Sequence, residues 1–124
     1  MPRDAITSDT LPPSVGPFSA GIRAGELIFL SGQIGSDPDT DTLVPGVAAQ
    51  TDQAIRNLAA VLEAAGRTLD DVQRVGVYLT DMGNFAAMNE VYARHFGTPY
   101  PARTTIGVAA LPLGAAVEID CVAR

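Results

Sequence analysis

The sequence predicts an α+β fold, in which two helices cover one face of a single mixed β-sheet. Two stretches, about 46–65 and 84–96, have apolar residues at helical spacing, and shorter stretches around them alternate between apolar and polar residues. The order of two strands, helix, strand, helix and two strands favours two layers around one core. With 124 residues and no repeat or linker, the chain is expected to form one domain, 1–124, with residues 1–15 as an N-terminal arm.

The first third of the chain is predicted to contain the arm, a hairpin and a loop. Residues 1–15 are polar and proline-rich, which favours an arm on the surface rather than a core element. Strands over Phe18–Arg23 and Leu27–Ser31 flank a turn at residues 24–26. The three aspartates, the proline and the threonine of residues 36–41 favour a loop.

The middle of the chain is predicted to form helix, strand and helix. The apolar stripe of Gly46–Ala65 predicts a helix, and Gly66 follows it as a residue type that commonly closes helices. Val72–Thr80 alternates, with its valines and leucine inward, and predicts a strand. A second helical stripe covers Asn84–Phe96 and ends before Gly97.

Two strands are expected at the C-terminus, and each carries one charged side chain among apolar or small neighbours. Alternation places Glu118 on the face opposite Val117 and Ile119, and it places Arg103 on one face of the preceding strand. If residues 111–114 turn the chain, the two strands pair antiparallel and Arg103 lies near Glu118. A guanidinium facing a carboxylate could bind a small acid and move a proton, or the two groups could form a structural ion pair.

Composition and charge argue against nucleic acid, a membrane or a metal as partner. The net charge of -6 opposes a phosphate backbone, although one arginine can still bind a small anion. No apolar run reaches the roughly 20 residues that span a bilayer. His95 is the only histidine, so no metal site is expected, and the single cysteine, Cys121, favours a reduced cytoplasmic location. No glycine-rich phosphate loop is present, so no cofactor is expected.

Four fragments, in this order, resemble the Rid family, the reactive intermediate deaminases (YjgF-like, endoribonuclease L-PSP). They are Val15–Phe18, Leu30–Ile34, Asn84–Asn89, and Pro101–Arg103 with a glutamate fifteen positions after the arginine. The resemblance covers nearly the whole chain. It implies the chorismate-mutase-like arrangement of one mixed sheet with two helices on one face, and homotrimers with pockets between subunits.

The resemblance also implies a site. Arg103 matches the arginine that binds the substrate carboxylate, and Glu118 matches the glutamate that holds a water and passes a proton to the departing nitrogen; these are the expected catalytic residues. For Gly32 a bulge is the alternative interpretation, and for Asn89 an exposed position on the helix. The expected substrate-binding residues are Phe18, Ser31, Gly32, Asn89 and Thr105.

Two positions depart from the family pattern. The family archetype has a tyrosine at the position of Phe18, so this chain offers an aromatic wall there without a phenol hydroxyl. The archetype commonly has a cysteine at the position of Thr105, which offers a hydroxyl and a backbone N–H instead. These departures bear on which substrates the site accepts.

The function expected from the resemblance is that of a cofactor-independent hydrolase. It would deaminate short 2-imino acids of the 2-aminoacrylate type to 2-keto acids and ammonia, as 2-iminobutanoate/2-iminopropanoate deaminases do. One alternative is a pathway-specific deaminase acting on an aminomuconate-like acid. The other is a non-catalytic protein that binds small carboxylates through the same arginine.

Overall fold

A computed structural model describes residues 2–124 as one six-stranded sheet, two helices and a small two-stranded ribbon. None of the helices in this part of the chain is both long and apolar enough to cross a membrane. The elements, in chain order, are β1 (Asp4–Ala5), β2 (Gly21–Ala24), β3 (Leu27–Ile34), β4 (Ser36–Asp37), β5 (Thr42–Leu43), α1 (Val47–Ala64), β6 (Val72–Leu79), α2 (Phe85–His95), β7 (Ala102–Gly107) and β8 (Val117–Ala123).

The strands of the large sheet lie in the order β1-β2-β3-β8-β6-β7. All neighbours run antiparallel except β6 and β7, which run parallel. The sheet is therefore mixed, and both helices pack on one of its faces, so the predicted two-layer α+β fold is confirmed. The other face of the sheet, here called the open face, carries no helix.

The expected antiparallel pairing of β7 with β8 is wrong. Between β6 and β7 the chain passes through α2, and a helical crossover returns it to the same end of the sheet, so these two strands pair parallel. The last strand then enters between β3 and β6. As a result, β6 separates the strand of Arg103 from the strand of Glu118.

Helix α1 and the central strands form most of the core. The apolar stripe of α1 is buried, and the inward residues predicted for β6 (Val75, Val77 and Leu79) are fully buried. The helix ends in a Schellman motif: the N–H of Arg67 donates to the carbonyl of Leu62, and Gly66 takes a φ of 75° that suits glycine.

Two expectations about the first third of the chain need correction. The arm does not lie wholly on the surface, because Asp4–Ala5 pairs with β2 and Ile6 is buried against the core. The segment predicted as a loop contains β4, which pairs with β5. Both strands are two residues long, too short for alternation to reveal.

Candidate functional site

The guanidinium of Arg103 lies against the aromatic side chains of α2. Its central carbon is 4.6 Å from the ring centre of Tyr92 and 5.7 Å from that of Phe85, and Nη1 lies 3.9 Å from the sulfur of Met88. These three residues come from α2, which packs over β7 because it connects β6 to β7. We call Arg103, Phe85 and Tyr92 the aromatic clamp.

The charge of Arg103 has no counter-ion. Within residues 2–124, no carboxylate oxygen lies within 4.0 Å of its guanidinium nitrogens. Aromatic faces attract a cation without neutralising it, so the half-buried guanidinium keeps its N–H donors for another group. The arrangement suits an anion with two oxygens in one plane, such as a carboxylate.

Glu118 lies on the open face of the sheet, beside Gly32 of β3. A Cβ atom added at Gly32 would come within 2.6 Å of Oε2 of Glu118, so the glycine makes room for this carboxylate. Burial, with a smaller contribution from Asp120, raises the pKa of Glu118 above its ordinary value. A carboxyl group of this kind exchanges its proton closer to neutral pH than an exposed one.

Arg103 and Glu118 are not neighbours within one chain. Arg103 lies opposite Val75, which lies opposite Cys121, and these residues share the helix-covered face. Glu118 alternates with the buried Val117 and Ile119 and therefore occupies the open face. The expected approach of the two side chains is wrong, and so is the alternative that they form an ion pair within the chain.

Ser31 and Gly32 occupy an irregularity between β3 and β8. The register shifts between Leu30 and Gln33, which is the bulge considered for Gly32. The hydroxyl of Ser31 donates to the carbonyl of Ser19, and this bond fixes the segment that follows Phe18. The ring of Phe18 is 54% exposed and is free to form a wall.

Thr105 and Asn89 lie near Arg103, on the helix-covered side of the sheet. Thr105 follows Arg103 by two positions on the same face of β7, and its Oγ1 is buried with no hydrogen-bond partner in residues 2–124. Asn89 is one helical turn after Phe85 and three residues before Tyr92, so it lies along the same side of α2 and is half-buried.

The seven expected site residues therefore form two groups. One group lies at the helix-covered edge of β7, and the other lies at the bulge between β3 and β8. Because β6 and the plane of the sheet separate the groups, one chain alone does not bring them to the same small molecule. The first group is Arg103, Thr105 and Asn89; the second is Phe18, Ser31, Gly32 and Glu118.

Sequence reasoning missed the aromatic clamp. Phe85 and Tyr92 belong to the apolar stripe of the second helix, where an aromatic residue ordinarily predicts core packing. Their separation of seven positions places both on one side of the helix, and that is the signal the sequence contains. It does not reveal that the strand opposite them contributes an arginine.

His95 and Cys121 take structural positions. Nε2 of His95 lies 2.7 Å from Oδ1 of Asp52, a contact that joins α2 to α1. Cys121 is buried, and burial raises the pKa of its thiol to about 12. Among residues 2–124, no three histidine, cysteine or acidic side chains are close enough together to hold a metal ion.

Known proteins resemble this chain in sequence over nearly its whole length. A family model described as endoribonuclease L-PSP matches residues 9–124. A RutC family protein of Pyrococcus horikoshii is 45% identical over 98% of this chain and 97% of its own. A mouse protein named 2-iminobutanoate/2-iminopropanoate deaminase is 40% identical over 98% of this chain and 90% of its own.

The fold also matches that of a solved structure from the same group of proteins. The crystal structure of RidA from an Antarctic Psychrobacter bacterium superimposes with a TM-score of 0.94 at 43% identity, covering 98% of this chain and 99% of the other. Sequence and fold thus lead to the same assignment: the chain belongs to the endoribonuclease L-PSP family, the family of the Rid proteins.

Proposed function

We propose that the protein hydrolyses short 2-imino acids, and the 2-amino-enoic acids from which they form, to 2-keto acids and ammonia. The observation that carries the proposal is the unpaired, half-buried guanidinium of Arg103 in the aromatic clamp. A cation held in this way suits a carboxylate ligand. The mouse relative named as a 2-iminobutanoate/2-iminopropanoate deaminase supports the choice of substrate class.

In the proposed reaction, Arg103 binds the carboxylate through two charge-assisted hydrogen bonds. Glu118 holds a water molecule against the carbon of the C=N bond and takes one of its protons as the C–O bond forms. It gives this proton to the nitrogen, to which the electrons of the C=N double bond move, and a carbinolamine results. Glu118 then takes the hydroxyl proton and transfers it to the nitrogen as the C=O bond forms and the C–N bond breaks, so ammonia leaves and a keto group remains. Backbone groups of Gly32 and Thr105 orient the substrate, and Phe18 forms an apolar wall.

We also propose that the protein is a homotrimer with its sites between subunits. The Arg103 group and the Glu118 group lie on opposite faces of the sheet, so a site that needs both must combine two copies. Phe29 and Ile106, each nearly half exposed on the open face, suit contact with another copy. Light scattering is expected to give three times the chain mass of 12.9 kDa.

A cytoplasmic location stays a prediction.

Mixing two inactive variants tests the shared site. If Arg103 of one subunit works with Glu118 of the next, trimers assembled from Arg103→Ala and Glu118→Gln chains contain some sites with both residues intact. We expect the mixture, unfolded and refolded together, to regain a fraction of the wild-type rate. No recovery in mixed trimers of confirmed composition would contradict the arrangement.

The activity itself is tested on 2-iminobutyrate and 2-iminopropionate generated in situ. We expect ammonia and keto-acid release to exceed the protein-free rate and to rise in proportion to protein concentration. Arg94→Ala is the matched control, because this exposed arginine of α2 pairs only with Glu90 on the same helix and should leave the rate unchanged. Equal rates with and without protein would overturn the proposal.

Replacing Gly32 with alanine is expected to reduce turnover strongly while the protein stays folded. The new methyl group would meet Oε2 of Glu118 at 2.6 Å, and the flexible carboxylate is the group that must move. A displacement of about 1 Å in a reacting group can cost ~10²-fold in rate. Gly97→Ala is the control, because a Cβ atom there meets nothing within 4 Å. Similar kcat values for the two variants would contradict the placement of Glu118 in the site.

Replacing Tyr92 tests the aromatic clamp. Tyr92→Leu removes the ring beneath the guanidinium, and a cation–π contact of about 1 kcal/mol corresponds to a roughly fivefold rise in KM. Tyr92→Phe keeps the ring and removes a buried hydroxyl that has no partner in residues 2–124, so KM should stay near the wild-type value. Steady-state kinetics on 2-iminobutyrate measure both, and equal KM values for the two variants would contradict the clamp's role.

A further inference from the structure

We propose that Asp120, held by Tyr78 over Gly76, is a positioning residue that acts on the proton of Glu118 from the neighbouring position on the same face of β8. This inference rests on the proposed function for its consequence, since Glu118 handles the proton there. The coupling between the two carboxyl groups is a separate property that can be measured without any substrate.

The strand register brings these four residues together on the open face. Glu118 and Asp120 are two positions apart on β8, so they point to the same side. On the neighbouring strand, Tyr78 lies directly opposite Glu118, and Gly76 lies directly opposite Asp120. The two carboxylates and the phenol therefore form one patch of polar groups across β6 and β8.

Gly76 supplies the space that this arrangement needs. A Cβ atom added there would lie 2.4 Å from Oδ1 of Asp120 and 2.8 Å from the hydroxyl oxygen of Tyr78. The phenol uses this space to reach across the strands and donates a hydrogen bond of 3.0 Å to Oδ2 of Asp120. Glycine weakens the middle of a strand, so its presence in β6 is explained by these two side chains.

In the part of the chain that the structure describes, the two carboxylates of the patch form no salt bridge. Within residues 2–124, neither Glu118 nor Asp120 has a lysine, arginine or histidine nitrogen within 4.0 Å. The hydrogen bond from Tyr78 fixes the position of the Asp120 carboxylate. Burial is the main reason that the pKa of Glu118 is raised, and the carboxylate of Asp120, at the neighbouring position on the same face, raises it further.

One cation of the same chain, on β6, faces this patch, and it is present in wild type and in every Asp120 variant. On β6 the charged residue of the open face is Arg74, whose guanidinium donates to the hydroxyl of Thr104. β3 contains no ionisable side chain over Leu27–Ile34. The one charged residue of β7, Arg103, lies on the helix-covered face of its own chain. In the proposed trimer, the Arg103 of another subunit would lower the pKa of Glu118, and it would do so in wild type and in the Asp120 variants alike.

Because of the charge on Asp120, Glu118 keeps its proton to higher pH than it would without that charge. The nitrogen that leaves an imino acid must take up a proton, and a carboxyl group donates best when its pKa lies near the working pH. Asp120 touches no substrate in this scheme. It acts through Glu118, and Tyr78 and Gly76 act through Asp120.

The test is an NMR titration of carboxyl groups in protein labelled with ¹³C at glutamate and aspartate. We expect Glu118 to titrate at lower pH in Asp120→Asn than in wild type, and to stay near the wild-type pH in Asp120→Glu, which keeps the charge. Asp120→Thr, neutral and suited to a strand, serves if the asparagine variant does not fold. Tyr78→Phe removes the hydrogen bond that holds Asp120, so the titration of Glu118 should move in the same direction as in Asp120→Asn, and by less.

The pH dependence of ammonia release provides the functional readout. The part of the wild-type pH profile that depends on Glu118 is the part that is lost in Glu118→Gln. We expect this part to move to lower pH in Asp120→Asn. A purely structural role for Asp120 would not move it. If Glu118 titrates at the same pH in wild type and in Asp120→Asn, the inference is overturned. If its titration moves but no imino acid is hydrolysed, the coupling holds and the proposed function fails.

Discussion

Arg103→Ala is expected to lower kcat/KM for 2-iminobutyrate by about 10²–10⁴-fold. A carboxylate bound by a guanidinium fork gains two charge-assisted hydrogen bonds, each contributing about 1.5–3 kcal/mol, and alanine removes both. The neighbouring rings cannot replace the lost fork, because Phe85 has no hydrogen-bond donor and Tyr92 has a single hydroxyl without charge. The rate of ammonia release at several substrate concentrations measures the loss.

Arg103→Lys separates charge from geometry. Lysine keeps the positive charge but cannot bind a carboxylate through a planar fork, so its kcat/KM should lie between those of wild type and the alanine variant. Arg94→Ala serves again as the control for removing an arginine from this part of the surface. If the Arg103→Ala variant retained wild-type kcat/KM, the carboxylate would have to bind elsewhere, and the proposed site would be wrong.

Glu118→Gln is expected to lower kcat by about 10²–10⁴-fold with little change in KM, because the amide has nearly the same shape but cannot exchange the proton. The substrate carboxylate still binds at Arg103, which is unchanged. Single-turnover measurements on 2-iminobutyrate separate the chemical step from binding. A variant that binds keto acids with wild-type affinity, beside a wild type that shows no turnover, would instead indicate a carboxylate-binding protein.

Stability provides the second readout for this variant. The folded-state pKa of Glu118 lies above its ordinary value, so its ionisation is less favourable in the folded chain than in the unfolded chain. This cost is absent below the unfolded pKa, and it grows as the pH rises toward the folded pKa. Glutamine never ionises, so the variant should unfold at no lower denaturant concentration than wild type at neutral pH. A folded but inactive variant is the signature of a residue kept for chemistry.

The sequence by itself determined the elements and the residues worth testing. Helical spacing and Gly66 located α1 to within a few residues, since a local period and a closing glycine depend on no distant contact. Alternation assigned Glu118 and Val117 to opposite faces of β8 for the same reason. The order and spacing of four short motifs carried the family resemblance.

Only the tertiary structure decided which strands are neighbours and which side chains share a face. Alternation along a strand is the same whatever lies beside it, so it could not show that β6 separates β7 from β8. The strand order separates Arg103 from Glu118 by one strand, and the register places them on opposite faces of the sheet. Together these two facts make a site shared between subunits the natural proposal. The aromatic clamp and the contact of Tyr78 with Asp120 over Gly76 arise likewise from packing between distant segments, which no local pattern encodes.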